Sequence, residues 1–454
     1  MEETIMKTKI PIFLITILNF GLTLLWSSEK HHHNWPQWRG INADGASQNG
    51  AVPVNWNETT NIKWKTPIPG KGLSTPVIWG NQIFITTAIE LDEKATREAV
   101  KKFKKSQHAM IKFTGQARTT QNIQQFKIYS IDKYSGEILW QKTVNEQYPH
   151  EGIHKANSWA SGSCVTDGQH VIAHFGSNGI YCLDMAGKVI WEKDLGDMQM
   201  VMAFGEGNSP VLYKNKLVIL WDHEGESKIH VFNKNTGKEI WQKNREERTT
   251  WATPIVVDIN NSTQIIVPGK TRSIGYELET GKEIWTLSGL KEDIVPSPVF
   301  DGERIFLMTG FMKSKVLQAI NLTIAQGELN NTDAVCWTKS ANTPYVPSPL
   351  LSNGKLYILE GNKPKLSCIE SMTGKIHYEN QKLTGMKSFY ASPISANGYI
   401  YFIDRKGNSI VIKEGDKFKI VGQNKLDDKF DASPVVSDNL LILRGLKHLY
   451  CISE

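Results

Sequence analysis

An all-β, eight-bladed propeller is the fold this sequence predicts, and three observations carry the prediction. The first is a recurring Ser/Thr-Pro pair: Thr75-Pro76, Ser209-Pro210, Thr253-Pro254, Ser297-Pro298, Ser348-Pro349, Ser392-Pro393 and Ser433-Pro434, with Ser163-Cys164 as a degenerate eighth copy. Successive copies stand 88, 46, 44, 44, 51, 44 and 41 residues apart. The second is a Gly four residues ahead of a Trp that closes many units: Gly136 and Trp140, Gly187 and Trp191, Gly237 and Trp241, Gly281 and Trp285. Gly374 and Tyr378 form a weaker closing, and Trp337 closes a unit with no matching Gly. The third is that each unit has room for four short strands. A unit of about 44 residues cannot bury a core alone, and periods in this range mean a stacked or radial array.

The third unit shows the strand pattern. Ser209–Tyr213 reads as a short strand, 214–216 as a turn and Leu217–Trp221 as an apolar second strand. A loop at 222–227 precedes a third strand, Lys228–Asn233, and the turn 235–237 leads to the fourth, Glu239–Lys243. Apolar, β-branched runs bounded by Asn and Gly are hairpin signals. Comparable turns recur at Thr166-Asp167-Gly168, Phe300-Asp301-Gly302, Ser352-Asn353-Gly354 and Ala396-Asn397-Gly398. The last unit, Ser433 to Ile452, supplies only three strands. Its fourth is expected from Asn61–Ile68, where Trp64 matches the closing Trp, so that first and last blades join and two open edges vanish. The ring thus spans 61–454, with an insertion at about 90–122 whose Glu90–Lys105 part reads as helical. A second insertion, Thr323–Asp333, parts the third and fourth strands of the fifth unit. Residues 29–60 form an extension expected to run over one face of the ring.

Residues 1–28 read as a signal peptide. Lys7 and Lys9 precede the apolar stretch Ile10–Trp26, and Ser27-Ser28 offers small residues for cleavage. The stretch is 17 residues long and holds Pro11, marginal for a membrane span, though an uncleaved anchor is the alternative. The mature chain is therefore expected to lack a transmembrane segment and to be exported, to the periplasm or beyond. The net charge of +6 is mild over 454 residues, and the basic run Lys101–Lys105 lies beside Glu90, Asp92, Glu93 and Glu98, a solvated face rather than a nucleic-acid site. Five cysteines cannot all pair within one chain; Cys182, Cys368 and Cys451 occupy equivalent points of three repeats, which points to core packing.

In a propeller, the turns between strands one and two and between strands three and four share one face. The loops between strands two and three and the blade-to-blade connections share the other. Here the first set is short and generic and the second long and varied, so the second is expected to hold a site. It includes 150–159 with His150, His154 and Trp159, then 198–208 with Glu206 and Asn208, and Asp222-His223-Glu224, 270–272 with Arg272, 404–406 with Asp404 and Arg405, and Arg444. Converging on a channel mouth, such groups can bind an anion, a carbonyl compound or a cation. Each also has a structural reading: Asp222-His223-Glu224 as a hydrogen-bonded turn, the arginines as braces between loops, the repeated Trp as packing between blades.

The closing phrase resembles the pyrroloquinoline-quinone (PQQ) repeat. It stands here as Asp132-Lys-Tyr-Ser-Gly136-Glu-Ile-Leu-Trp140, Asn233-Lys-Asn-Thr-Gly237-Lys-Glu-Ile-Trp241 and Glu277-Leu-Glu-Thr-Gly281-Lys-Glu-Ile-Trp285. The resemblance runs from about Asn61 to Glu454 and implies the propeller. It is shared by quinoprotein dehydrogenases, which use PQQ and calcium on alcohols or sugars, by BamB-like scaffolds, and by exported bacterial propellers found in polysaccharide-degrading bacteria. On the quinoprotein reading, residue type rather than any position carried over from the family points to Asp222 or Asp404 as the catalytic base, Arg272, Arg405 and Arg444 with Trp159 on the cofactor, and Glu206 and Asn208 toward calcium. The chain departs from that pattern: it has no adjacent cysteine pair and no CxxCH. The alternative is a non-catalytic scaffold that binds a protein or glycan partner. A hydrolytic use of the carboxylates is a third reading.

Overall fold

Eight antiparallel sheets, one per repeat, make up a closed ring in the computed structural model, which describes residues 33–47, 50–106, 117–118, 120–311 and 314–454. The apolar leader 10–26 lies outside the described residues. Blade 1 comprises Val77–Trp79, Gln82–Lys94, Asn122–Asp132 and Ile138–Gln147; blade 2, Val165–Thr166, His170–His174, Ile180–Asp184 and Val189–Lys193. Blade 3 comprises Val211–Tyr213, Lys216–Trp221, Lys228–Asn233 and Glu239–Asn244; blade 4, Ile255–Ile259, Ser262–Val267, Ser273–Glu277 and Glu283–Leu287. Blade 5 comprises Val299–Phe300, Arg304–Thr309, Val316–Asn321 and Val335–Lys339; blade 6, Leu350–Ser352, Lys355–Leu359, Lys365–Glu370 and Ile376–Lys382. Blade 7 comprises Ile394–Ala396, Tyr399–Ile403, Asn408–Lys413 and Ile420–Lys425. Blade 8 has Val435–Ser437, Leu440–Arg444 and His448–Ile452, and takes Ile62–Pro67 as its outermost strand, with Trp64 opposite Cys451. The expected closure by an early strand is what the chain adopts.

The Ser/Thr of each Ser/Thr-Pro pair has a purpose that the repeat alone does not reveal. The backbone N–H of each one donates to the hydroxyl of its counterpart in the next blade. The bonds run from Thr75 to Ser163, Ser209, Thr253, Ser297, Ser348, Ser392, Ser433 and back to Thr75, over 2.8–3.2 Å. The circle includes the degenerate Ser163. The following Pro supplies no N–H, so it leaves no donor unsatisfied at the crowded centre. Ser297→Ala leaves the buried Thr253 N–H without an acceptor; the expected loss is about 1–3 kcal/mol, read as a lower denaturant midpoint.

At the rim a second circle is made by the closing phrase. The indole N–H of five closing Trp residues donates to a backbone carbonyl of the next blade: Trp64 to Lys133, Trp140 to Met185, Trp191 to Lys234, Trp241 to Leu278 and Trp337 to Ser371, at 2.7–3.1 Å, whereas Trp285 turns inward to the Gln264 side chain of its own blade at 3.0 Å. The Gly of the next blade's turn lies flat on that indole. A Cβ on Gly237 would sit 2.8 Å from Trp191 Cδ2, and its φ of +65° also favours glycine. Gly four residues before Trp is thus a contact between neighbouring blades, read along one chain. The cysteines of the repeat, Cys182, Cys368 and Cys451, lie fully buried opposite Trp191, Tyr378 and Trp64.

Both insertions differ in detail from expectation. The segment Glu90–Lys94 continues the second strand of blade 1, pairing with Asn122–Gln124, and the helix spans only Arg97–Ser106. The alternation Ile89-Glu90-Leu91-Asp92 suits a ribbon, with Thr96 capping the Ala99 N–H where the helix starts. Within 323–333, Gly327–Glu328 adds a parallel fifth strand to the outer edge of neighbouring blade 4. The extension before the ring enters the channel. Trp35 pairs with Ile78 of blade 1, and Ala46–Ser47 pairs in parallel with Ile394–Ala396 of blade 7. Between them Arg39 is buried, donating to the carbonyls of Pro349 and Pro393 at 2.5 and 2.6 Å and to Asp44 at 2.9 Å.

Candidate functional site

The two faces of the ring differ from what loop length suggests. On the face of the longer loops, Trp159, Glu206 and Asn208 line one small pocket of about 20 Å³, together with His150, Glu151 and His174, and Trp159 also borders a second cavity of about 180 Å³ beside Lys71 and Glu90. Asp222, Asp404, Arg272, Arg405 and Arg444 line neither this pocket, nor the cavity beside Lys71 and Trp159, nor the large cavity on the opposite face.

Each of those five is engaged locally. The Asp222 carboxylate, wholly buried, takes a bidentate pair from Arg245 at 2.8 and 3.2 Å, and Arg245 reaches the Tyr276 hydroxyl at 3.0 Å. Asp404, also buried, accepts from the backbone N–H groups of Lys387, Lys406 and Asn408 and from the Asn408 amide, at 2.8–2.9 Å. Arg272 pairs with Glu283 at 2.9 Å. Arg405 pairs with Asp431 at 2.5 Å and lies 3.8 Å over the ring of Tyr390. Arg444 donates to the carbonyls of Ser74 and Thr86, and burial pushes it down to about 9.

Carboxylates that sequence reasoning passed over do the same work. Glu247, buried, accepts from the N–H groups of Lys270, Thr271 and Arg272 at 2.8–3.1 Å. Asp428 accepts from Lys447 and His448 N–H at 3.1 Å. Tight loops turn several backbone N–H groups inward, and a buried carboxylate satisfies them at once. The signal available in the sequence was a Gly- or Lys-rich turn in one blade and an unexplained acid about 20 residues before it.

The small pocket is electrostatically unusual. Glu206 accepts from the Ser177 N–H at 2.8 Å and its hydroxyl at 2.6 Å, yet burial pushes its carboxyl up. Glu151 accepts only the Met200 N–H at 3.0 Å, and burial, with Glu206, Asp197 and Glu224 nearby, pushes it up to about 8. The Asn208 amide donates to the Leu220 carbonyl at 2.9 Å. His150 Nε2 lies 2.6 Å from the Met198 carbonyl. In Asp222-His223-Glu224 the side chains diverge: His223 Nδ1 accepts from Gln199 N–H, and Glu224 takes Arg248 and Thr249. Among the described residues no group of three or more His, Cys, Asp or Glu is placed to hold a metal ion. PQQ needs arginines that face a cavity wide enough for a planar tricarboxylate, and Arg272, Arg405 and Arg444 do not provide this.

The large cavity opens on the other face, that of the strand-one-to-two turns. Its volume is about 1060 Å³, and it is walled by the innermost strands of blades 3, 4 and 5 on one side and by the 37–47 segment on the other. Carboxylates of Asp258, Asp301, Glu303, Glu370 and Glu414 stand around it, with Arg304 between Asp301 and Glu303. The half-buried Trp38, from the extension, forms part of its floor.

This geometry has known counterparts. The structure is similar to that of BamB from Moraxella catarrhalis, at 16% identity and a TM-score of 0.53, over 82% of this chain and 98% of that one. It is also similar to a europium-containing methanol dehydrogenase, at 11% identity and a TM-score of 0.64, over 94% and 92% of the two chains. The quinohemoprotein alcohol dehydrogenase of Comamonas testosteroni follows at 10% identity and a TM-score of 0.60, over 94% and 82%. At these identities the likeness is one of fold. No curated protein matches the sequence. The profile of the family described as outer membrane protein assembly factor BamB matches residues 124–380. With more than half its length matched and the blade-to-blade Gly-Trp contacts in place, the chain belongs to this family of PQQ-repeat propellers.

Proposed function

We propose that the protein is an exported, non-catalytic scaffold of this family, a rigid ring that binds a partner at its channel rather than turning over a quinone. One observation carries the reading: the charged residues best suited to PQQ chemistry, Asp222, Asp404, Arg272, Arg405 and Arg444, are each engaged in bracing a loop or a neighbouring blade. For the buried Asp222, Asp404 and Arg444, release from a bidentate pair or a set of backbone bonds costs several kcal/mol, whereas the exposed Arg272–Glu283 pair is weakly held. The ring itself supports a scaffold role, because the eight-membered hydrogen-bond circle and the Trp contacts hold the faces in fixed geometry. The apolar leader supports export.

A second reading has its own observation. Trp159, Glu206 and Asn208 do meet at one pocket, so a quinoprotein acting on an alcohol or sugar would place PQQ and calcium there. It requires Glu206 and Asn208 to leave Ser177 and Leu220 and the pocket to open. Calorimetric titration of the mature protein with PQQ, with and without calcium, separates the two. The scaffold reading expects no saturable heat in either condition from protein with an intact thermal transition. Calcium-dependent one-to-one binding at micromolar affinity would overturn it and make the quinoprotein reading primary.

A further inference from the structure

The third residue after each Ser/Thr of the inner circle occupies one repeated place. These residues are Ile78, Thr166, Leu212, Val256, Phe300, Leu351, Ser395 and Val436, each on the innermost strand of its blade. Their registers, such as Leu212 opposite Leu217 and Leu351 opposite Leu356, put them one place before a ladder-bonded pair. The backbone N–H and C=O of such residues point away from the second strand and into the channel. Eight open strand edges therefore face one another around it.

The chain covers some of these edges itself. Ile78 exchanges two hydrogen bonds with Trp35, at 2.8 and 2.9 Å. The N–H groups of Thr166, Leu351 and Ser395 donate to the carbonyls of Pro36, Asp44 and Gly45 at 2.8, 3.2 and 3.1 Å. Val436 is packed under Gly50. All five are buried, at 6% exposure or less. The other three are consecutive. Leu212, Val256 and Phe300 make no such bond among the described residues, stay only half-buried, and wall the 1060 Å³ cavity.

We propose that this cavity is a binding site for an extended segment of a partner protein, which adds to the inner edges of blades 3, 4 and 5 as residues 35–47 add to blades 1, 2, 6 and 7. The chain thus holds both the receptor and an example of its ligand's backbone geometry. Backbone bonds give such a site affinity with little regard to sequence, and side-chain surroundings give it preference. Here the preference is for Lys or Arg. Glu414 has a buried oxygen without a partner, and Asp258 accepts only hydroxyls, from Tyr213 and Thr263. Among the described residues the ion-pair partner of Glu370 is His377. The site rests on the scaffold reading and adds to it a face, a chemistry and three named edges.

Fluorescence polarisation with a labelled twelve-residue (Lys-Thr-Val)₄ peptide and its (Glu-Thr-Val)₄ counterpart tests the site on the mature protein. The basic peptide is expected to bind saturably and the acidic one at least tenfold more weakly. Val256→Pro removes the N–H that faces the channel but no ladder bond, since an edge strand tolerates proline there. It should weaken the basic peptide at least tenfold, whereas Val256→Ala, which keeps the N–H, should change it less than threefold. Glu414→Gln should weaken it severalfold. Hydrogen exchange at the Leu212, Val256 and Phe300 amides should slow on binding, an effect that mere attraction of opposite charges does not produce. Failure of the basic peptide to bind, equal binding of both peptides, or an unaltered Val256→Pro in a folded protein would overturn the proposal. If the PQQ titration is also silent, the scaffold reading survives that failure and its partner belongs on another face; PQQ binding would remove both.

Discussion

Asp222→Ala should destabilise the protein by about 3–5 kcal/mol, because it strands the Arg245 guanidinium in a site with no solvent access. Arg245 would keep the Tyr276 hydroxyl at 3.0 Å, a neutral acceptor, and no other carboxylate within hydrogen-bond reach. The double variant Asp222→Ala/Arg245→Met removes both charges and leaves an apolar chain in their place. It should recover most of the loss, since a buried pair replaced by packed apolar groups is often near neutral. Equilibrium urea unfolding of the wild type, both single variants and the double variant closes the cycle and yields the coupling. The outcome also bears on function. A catalytic aspartate can be changed at little cost in stability, whereas one that anchors Arg245 cannot. A single variant within about 0.5 kcal/mol of wild type would show that the pair contributes nothing to the blade 3–4 contact and would reopen Asp222 as a free base.

Asp222 also marks where sequence reading stops. The ring was legible because its cause is local and repeated. Ser/Thr-Pro, the Asn-Gly turns and Gly four places before Trp each recur at one register; the first and the last turn out to be contacts between neighbouring blades, and the turns close hairpins within one. Trp64 could even be matched to blade 8 across more than 380 residues, because it fills the place of a residue that the last repeat lacks. The site was less legible for the opposite reason. Arg245 stands 23 residues from Asp222 and Asp431 stands 26 from Arg405, at no repeated spacing. A charged residue in a long loop looks the same whether it faces a ligand or satisfies a neighbour's backbone. The short turns, read as generic, border the 1060 Å³ cavity, because the extension from Trp35 to Ser47 covers only part of the circle of inner edges. Which edges it leaves open depends on where a non-repeating segment runs, and nothing periodic encodes that.

The carboxyl of Glu151 is expected to contribute a stability term that falls as the pH rises. Burial and the charges of Glu206, Asp197 and Glu224 lift it from an ordinary 4.5 to about 8 in the folded state. The unfolded chain therefore loses this proton more readily than the folded one. Its stabilising contribution is full below about pH 4.5 and is lost progressively as pH climbs through about 8, after which the deficit is constant. Glu151→Gln fixes the group in a neutral form of the same shape and keeps an oxygen for the Met200 N–H. Its stability relative to wild type should be near zero at pH 4.5, grow with pH, and level off above pH 8 at a gain on the order of a few kcal/mol. Glu206, Asp222 and Asp293 are pushed the same way and Asp167 and Glu360 the other, so the wild-type curve sums many groups, and only the difference between wild type and variant isolates Glu151. Urea unfolding from pH 4.5 to pH 9 measures that difference. Parallel curves would mean that Glu151 stays ionised, with a cation or water supplying what the Met200 N–H alone does not. A widening gap would establish that the carboxyl of Glu151, in the pocket of Trp159, Glu206 and Asn208, is protonated at neutral pH, a state that does not suit an ionised calcium site.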